Sequence, residues 1–213
     1  MENKDKKIES LEKVMGDTSP DAPNLEEQPE EPKSLKKEIF SWVKLIALAI
    51  LIAFFINTVI IVNASVPSES MRPTIEEPAR LIAFRLSYLF SEPERFDVIV
   101  FNSPDDDSRT RYVKRVIGLP GETLEIVNGL IFINGSTEPL DEWYLYEPPA
   151  SWSLTPHFSV IPEGHFFVLG DNRNNSRDSR GLGMNPWDNL YVPEGNIMGR
   201  AIFTYFPRIG MVR

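Results

Sequence analysis

The sequence predicts a mainly β protein carried on one N-terminal membrane helix, and three observations lead there. One uncharged apolar run, residues 45–62, is long enough to reach across a bilayer. From Ala79 onward the chain is a succession of short β-branched and aromatic runs punctuated by Pro, Gly and Asp. Two Asn-Gly pairs, Asn128-Gly129 and Asn134-Gly135, close apolar segments in the manner of hairpin turns. A chain of 213 residues accommodates one domain with a core, a tail and an anchor. The formal charge of -9 argues against a nucleic-acid binder, which needs a basic face to displace counterions from phosphates. Cysteine is absent, which excludes disulfides, thiolate catalysis and Cys-ligated zinc. His157 and His165 are the only histidines, too few for a His-rich centre, so neither a metal nor a cofactor is expected.

Residues 1–38 are rich in Lys, Glu, Asp, Pro and Ser and bury too little to offset the entropy of ordering, which predicts a flexible tail. The 18 residues of the apolar run span about 27 Å as a helix. With residues 39–43 and Asn63 beside it, the run suffices for one crossing. Lys33, Lys36, Lys37 and Lys44 precede it, and the nearest basic residues beyond are Arg72 and Arg80, which places the N-terminus in the cytoplasm and the rest outside. Val62-Asn63-Ala64 has the small-residue spacing of a cleavage site, but the run is too long for a typical h-region and its leader too long for an n-region. The reading is an uncleaved anchor over 39–63, followed by an extracytoplasmic β-rich domain over 64–213.

Strands are predicted at 80–89, 97–101, 112–118, 122–127, 130–133, 165–169 and 201–206. Asn128-Gly129, between Val127 and Leu130, specifies a type I′ turn. Asp105-Asp106-Asp107 after Pro104 reads as a solvated turn rather than a metal site. Residues 143–156, with their Trp, Tyr and Pro, read as an irregular excursion.

The chemistry centres on Val66-Pro67-Ser68-Glu69-Ser70-Met71-Arg72-Pro73-Thr74-Ile75. Ser70 follows Val62 by eight residues, so its hydroxyl lies no more than roughly 30 Å from the end of the apolar run. A serine is a weak nucleophile until a base takes its proton. Beyond the run there is a single lysine, Lys114. Arginine stays charged, whereas a desolvated lysine can give up its proton. A lone lysine on a strand is ordinarily solvated, but Tyr112, Val113, Val116 and Ile117 make a strand apolar enough to carry this one inward. Rival serine chemistries fit less well. The S-x-x-K spacings at Ser10, Ser34 and Ser41 fall in the tail or at the membrane edge with no later K-T-G, and His165 opens an apolar strand as a packing histidine does.

Three blocks then add up in order. Pro67-Ser68-Glu69-Ser70-Met71-Arg72-Pro73-Thr74, Tyr112-Val113-Lys114-Arg115-Val116-Ile117-Gly118-Leu119-Pro120-Gly121, and Gly170-Asp171-Asn172-Arg173-Asn174-Asn175-Ser176-Arg177-Asp178-Ser179-Arg180 closely resemble signature blocks of the bacterial type I signal peptidases. With the anchor, the resemblance runs from about Ile39 to the C-terminus. It implies an antiparallel β-sheet catalytic domain of the signal-peptidase type, cutting signal peptides from exported precursors at the membrane without metal or cofactor. It implies Ser70 as nucleophile and Lys114 as base, the Ser68 hydroxyl and Ser70 backbone N–H as the oxyanion hole, and Ser176 as the residue that orients the lysine. Asp178 and Arg180 would buttress the site, on one face if their stretch is extended, with Asp171, Asn172 and Arg173 holding the loop. Val66, Met71, Ile75, Tyr112 and Val113 would line a shallow apolar pocket, although the residues by themselves fit a core equally well. Two departures stand out: Arg95-Phe96-Asp97 where the family commonly has Arg-Gly-Asp, which predicts a different turn, and an insertion over 181–191 before Val192-Pro193. Soluble Ser-Lys autoproteases of the SOS repressor type share the chemistry but lack this anchor. The non-enzyme alternative is an anchored β domain that binds exported proteins without cutting them.

Overall fold

The computed structural model describes residues 35–103, 110–151, 160–181 and 191–213. The tail before residue 35, the three-aspartate turn at 105–107, His157 and most of the 181–191 insertion lie outside the described residues. The chain divides into two compact units, Met1–Ile46 and Ala47–Arg213.

Helix α1, Leu35–Phe55, begins in the first unit and continues into a π turn, Ile56–Ile60. Together they are long and apolar enough to cross a membrane, and none of the residues in either is fully buried. The apolar run does not stay helical to its end. From Ile61 the chain is strand β1, Ile61–Val66, with Val62, Ala64 and Val66 buried and Asn63 and Ser65 exposed. That alternation has the period of a half-buried strand, and it overrides the hydropathy that joined Ile61 and Val62 to the helix.

In the second unit an antiparallel sheet of eight strands, counted among the described residues, is built on β1. The others are β2 Ala79–Phe84, β3 Val98–Asn102, β4 Arg111–Gly118, β7 His165–Leu169, β8 Val192–Pro193, β9 Ile197–Phe206 and β10 Gly210–Met211. Their order is β1-β2-β9-β3-β4-β7-β8, with β10 on β9. Strands β5 Leu124–Val127 and β6 Leu130–Ile133 form a separate hairpin. Asn128 at φ 50 and Gly129 at φ 83 make its two-residue turn, as the Asn-Gly pair predicts.

The predicted strand at 80–89 is cut short. Phe84 is the last residue opposite β1, where it faces Ile61; beyond it the first sheet neighbour has become helix, and Arg85–Tyr88 form a 3-10 turn. A strand needs a partner for its N–H and C=O groups, and here one side is lost. Strands β8 and β10 had no local signal, since both are two-residue bridges defined by their neighbours.

The turn at Phe96 keeps the backbone form that favours glycine. Phe96 sits at φ 73, its N–H donates to Val116 O at 2.8 Å, and its ring meets Tyr144 edge-on at 5.7 Å between centroids. The left-handed backbone costs a bulky residue about 1–2 kcal/mol, which ring packing offsets. Phe96→Ala, which keeps the strain and loses the ring, should destabilise by about 2 kcal/mol. Phe96→Gly should be milder by about 1 kcal/mol, because it relieves the strain; urea unfolding in detergent that ranked the two the other way would refute this account of the turn.

Candidate active site

Strand β1 stops where Pro67, which has no N–H to donate, follows Val66. The chain then coils into a 3-10 turn, Glu69–Met71, closed by Arg72 N–H to Glu69 O at 3.0 Å. Met71 and Ile75 are fully inside and pin the turn to the core, while Ser70 sits at its centre. The turn is also held from across the sheet: Asn172 N–H donates to Ser70 O at 3.1 Å. Gly170 makes this approach possible, because a Cβ there would stand 2.4 Å from Ser70 O and 2.2 Å from Ser176 Oγ.

Lys114 comes from β4, opposite Ile99 of β3, and is 3% exposed. Its Nζ lies 2.5 Å from Ser70 Oγ. Burial lowers the Lys114 pKa from the usual 10.5 to about 8, against the pull of the Asp178 and Asp171 carboxylates, and the Arg180 guanidinium lowers it further. Near pH 8 about half of the amine is therefore neutral. Charged, it donates to Ser70 Oγ; neutral, it accepts the hydroxyl proton. Ser68 Oγ is 3.3 Å from Ser70 Oγ, within hydrogen-bond reach.

Ser176, expected to orient the lysine, has its Oγ buried beside Gly170 and makes no hydrogen bond in this structure. Asp178 and Arg180 do pair, Arg180 Nε to Asp178 Oδ1 at 2.6 Å and Nη2 to Oδ2 at 2.8 Å, both nearly fully buried. Their stretch is a turn rather than extended, closed by Gly181 N–H to Asp178 O at 3.1 Å, so the pairing does not depend on a shared strand face. Asp178 also accepts from Gly170 N–H at 3.1 Å, which links the pair to the backbone beside Ser70.

Val66, Met71, Ile75 and Val113 pack in one buried cluster beneath the Ser70 turn. Tyr112 does not join them: adjacent strand residues face opposite ways, and its ring stacks on Phe101 at 6.1 Å in another cluster. The bonded His165 Nδ1 lies 2.9 Å from Glu163 O, a local contact at the start of β7. Among the described residues, no three His, Asp or Glu side chains gather as a metal site.

The strongest electrostatic feature was not anticipated. Arg115, wholly buried on β4, grips Asp171 through Nε to Oδ1 at 2.8 Å and Nη2 to Oδ2 at 2.6 Å, donates to Phe96 O at 2.8 Å, and lies 4.1 Å over the Tyr144 ring. Thr74 Oγ1 donates to the same Asp171. Arg173 pairs with Glu142 and donates to Gly170 O at 3.0 Å. A charge inside the apolar strand Val113 to Ile117 was the available signal, because a buried guanidinium requires a buried partner.

The family model described as signal peptidase, peptidase S26, matches residues 39–206. The chain is 38% identical over 195 residues to signal peptidase I of Leptolyngbya laminosa, covering 89% of this chain and 90% of that one. It is 39% identical over 179 residues to the probable signal peptidase I-1 of a Synechocystis species, covering 81% and 83%. With signal peptidase IB of Staphylococcus aureus it shares 32% over 188 residues, covering 81% and 92%.

Proposed function

This chain belongs to the signal peptidase S26 family of serine endopeptidases, and on that basis we propose that it removes signal peptides from exported precursors by a Ser70/Lys114 dyad. The observation that carries the reading is the 2.5 Å separation of Ser70 Oγ and Lys114 Nζ, with Lys114 3% and Ser70 6% exposed. Neutral Lys114 takes the Ser70 proton as Oγ attacks the scissile carbonyl. The Ser68 hydroxyl and the Ser70 backbone N–H receive the oxyanion. As the C–N bond breaks, the Lys114 ammonium returns its proton to the leaving amine. The neutral amine then draws a proton from water as the water oxygen attacks the ester, and passes it to Ser70 Oγ as the C–O bond breaks, which restores the hydroxyl and the neutral amine. Asp178 and Arg180 support the site, and the cluster of Val66, Met71, Ile75 and Val113 forms the floor on which a small side chain before the scissile bond would rest. Tyr112 is left out of that floor.

Helix α1 with its π turn is the anchor in this reading, with residues 1–34 on the cytoplasmic side and the sheet outside. The lysines Lys36, Lys37 and Lys44 and the short link from Ile60 to Ser70 support it, since they would hold the nucleophile near the outer face of the bilayer. Incubating a membrane-embedded precursor with the protein should yield a new N-terminus immediately after a small residue, and none with Ser70→Ala or Lys114→Ala. A folded Ser70→Ala variant that still cut would end the dyad and favour another nucleophile. Because both reacting groups belong to the chain and it has no cysteine, chelators and thiol reagents should leave the rate unchanged; a loss with chelator that added metal restores would contradict this.

A further inference from the structure

Resting on the reading of Ser70 and Lys114 as the dyad, we propose that residues 210–213 are a positioning strap for the nucleophile, which steadies the Ser70 turn through two separate contacts, at Val212 and Arg213. The chain folds back after β9 and pairs along it again as β10, with Gly210 opposite Thr204 and Met211 opposite Phe203. Thr204 Oγ1 donates to Gly210 O at 3.2 Å and Val212 N–H to Ile202 O at 2.8 Å, which fixes the path of the backbone. At that point the segment reaches the two supports on which the Ser70 turn stands.

The first support is apolar. Val212 packs on the buried cluster that contains Met71 and Ile75, the side chains that pin the turn to the core. The second is electrostatic: Arg115 Nη2 donates to Arg213 O at 3.1 Å. Nη2 carries two hydrogens, and three acceptors face it, Asp171 Oδ2, Thr74 Oγ1 and Arg213 O. Because the guanidinium is wholly buried, a hydrogen deprived of its acceptor finds no water, so the Arg213 carbonyl shares in fixing where Arg115 sits. From there the path is short. Arg115 grips Asp171, Asn172 follows it, and Asn172 N–H donates to Ser70 O at 3.1 Å. Elsewhere a cleft of about 200 Å³ separates the strap from the chain beyond the turn, with Pro73, Thr74 and Ala79 on one side and Phe206 and Met211 on the other. Toward the nucleophile the strap is held at its end rather than along its length, so the seating of Val212 decides whether both contacts are made. A reacting pair 2.5 Å apart is sensitive to a displacement of a fraction of an ångström, so seating should be read in turnover and not in stability alone.

Two variants unseat the strap in different ways. Val212→Asp sets a carboxylate against the apolar cluster, and Val212→Pro removes the N–H that Ile202 O accepts. Val192→Ala, a fully buried truncation on β8 in a different cluster, supplies a loss of stability away from the strap. Each is assayed as the full chain in detergent on a soluble peptide carrying a cleavage site, at a temperature where near-UV circular dichroism shows it folded. Both Val212 variants should lose at least about tenfold in kcat with KM changed by less than about twofold. The acid limb of their pH profile should stay at about 8, since Lys114 keeps its surroundings. Val192→Ala should keep its kcat. Val212→Ala, which only trims the contact, should show the same split at about threefold, so the test stands even where the harsher variants fail to fold. Folded Val212 variants with the parent's kcat would overturn the strap, as would an equal loss of kcat in Val192→Ala. Ser70→Ala run alongside separates the two readings. If it still cuts, the dyad and the strap fall together; if it is inactive while the Val212 variants cut like the parent, only the strap falls.

Discussion

Lys114→Arg should abolish cleavage as completely as Lys114→Ala, by about ten-thousand-fold or more in kcat/KM. The charge is retained in the arginine variant, so the comparison isolates deprotonation, which a guanidinium does not undergo. An arginine variant with substantial activity would make the lysine an electrostatic aid and return the search for the base to its beginning. The same argument fixes the pH profile. With Lys114 titrating at about 8, activity should rise tenfold per pH unit on the acid side and level off above that value. Stability carries the opposite cost. Between about 8 and 10.5 the folded protein holds fewer protons than the unfolded chain, so its stability rises with pH through that window. Below it, the buried ammonium costs on the order of 3 kcal/mol relative to the neutral amine. Lys114→Met should therefore be inactive yet more stable than the parent at pH 7, with an advantage that shrinks toward pH 10.5. A stability difference that does not vary with pH would mean that the amine is not desolvated.

What could be read from the chain was whatever has a local cause. The Asn128-Gly129 turn needs positive φ at both residues and obtains it. Lys114 could be found because it is the single lysine past the apolar run and lies among apolar neighbours. What escaped depended on partners distant in sequence. Whether Ile61 ends a helix or begins a strand is decided by its pairing with Phe84, and the same pairing ends β2 before Leu89. Tyr112 and Val113 looked like one pocket as adjacent residues, although the pleat sends them to separate clusters. Phe96 holds a glycine's conformation because Tyr144, far along the chain, packs its ring. Ser176 lies beside the site with its hydroxyl buried and unbonded, a placement no local pattern announces.

Arg115 and Asp171 should prove the most sensitive structural pair in the protein. Both side chains are 0% exposed, and their two parallel hydrogen bonds leave neither charge facing water. Removing one partner strands the other as an uncompensated buried charge, which typically costs about 3–5 kcal/mol. That is a large part of the roughly 5–15 kcal/mol a domain has in total. Arg115→Met and Asp171→Asn should each lower the urea midpoint sharply or prevent folding. The double variant, Arg115→Met with Asp171→Leu, should recover much of the loss, since an apolar pair of similar volume avoids the desolvation cost. Its activity should not recover in step. Asp171 stands between Gly170, whose backbone touches the Ser70 turn, and Asn172, whose N–H holds Ser70 O, and it also accepts from Thr74 three residues past Met71. Without that tether the turn can shift by the fraction of an ångström that separates a reactive hydroxyl–amine distance from an idle one. A double variant that regained both stability and full kcat would show that the pair serves folding alone, and single variants as stable as the parent would show that the ion pair is not buried as described.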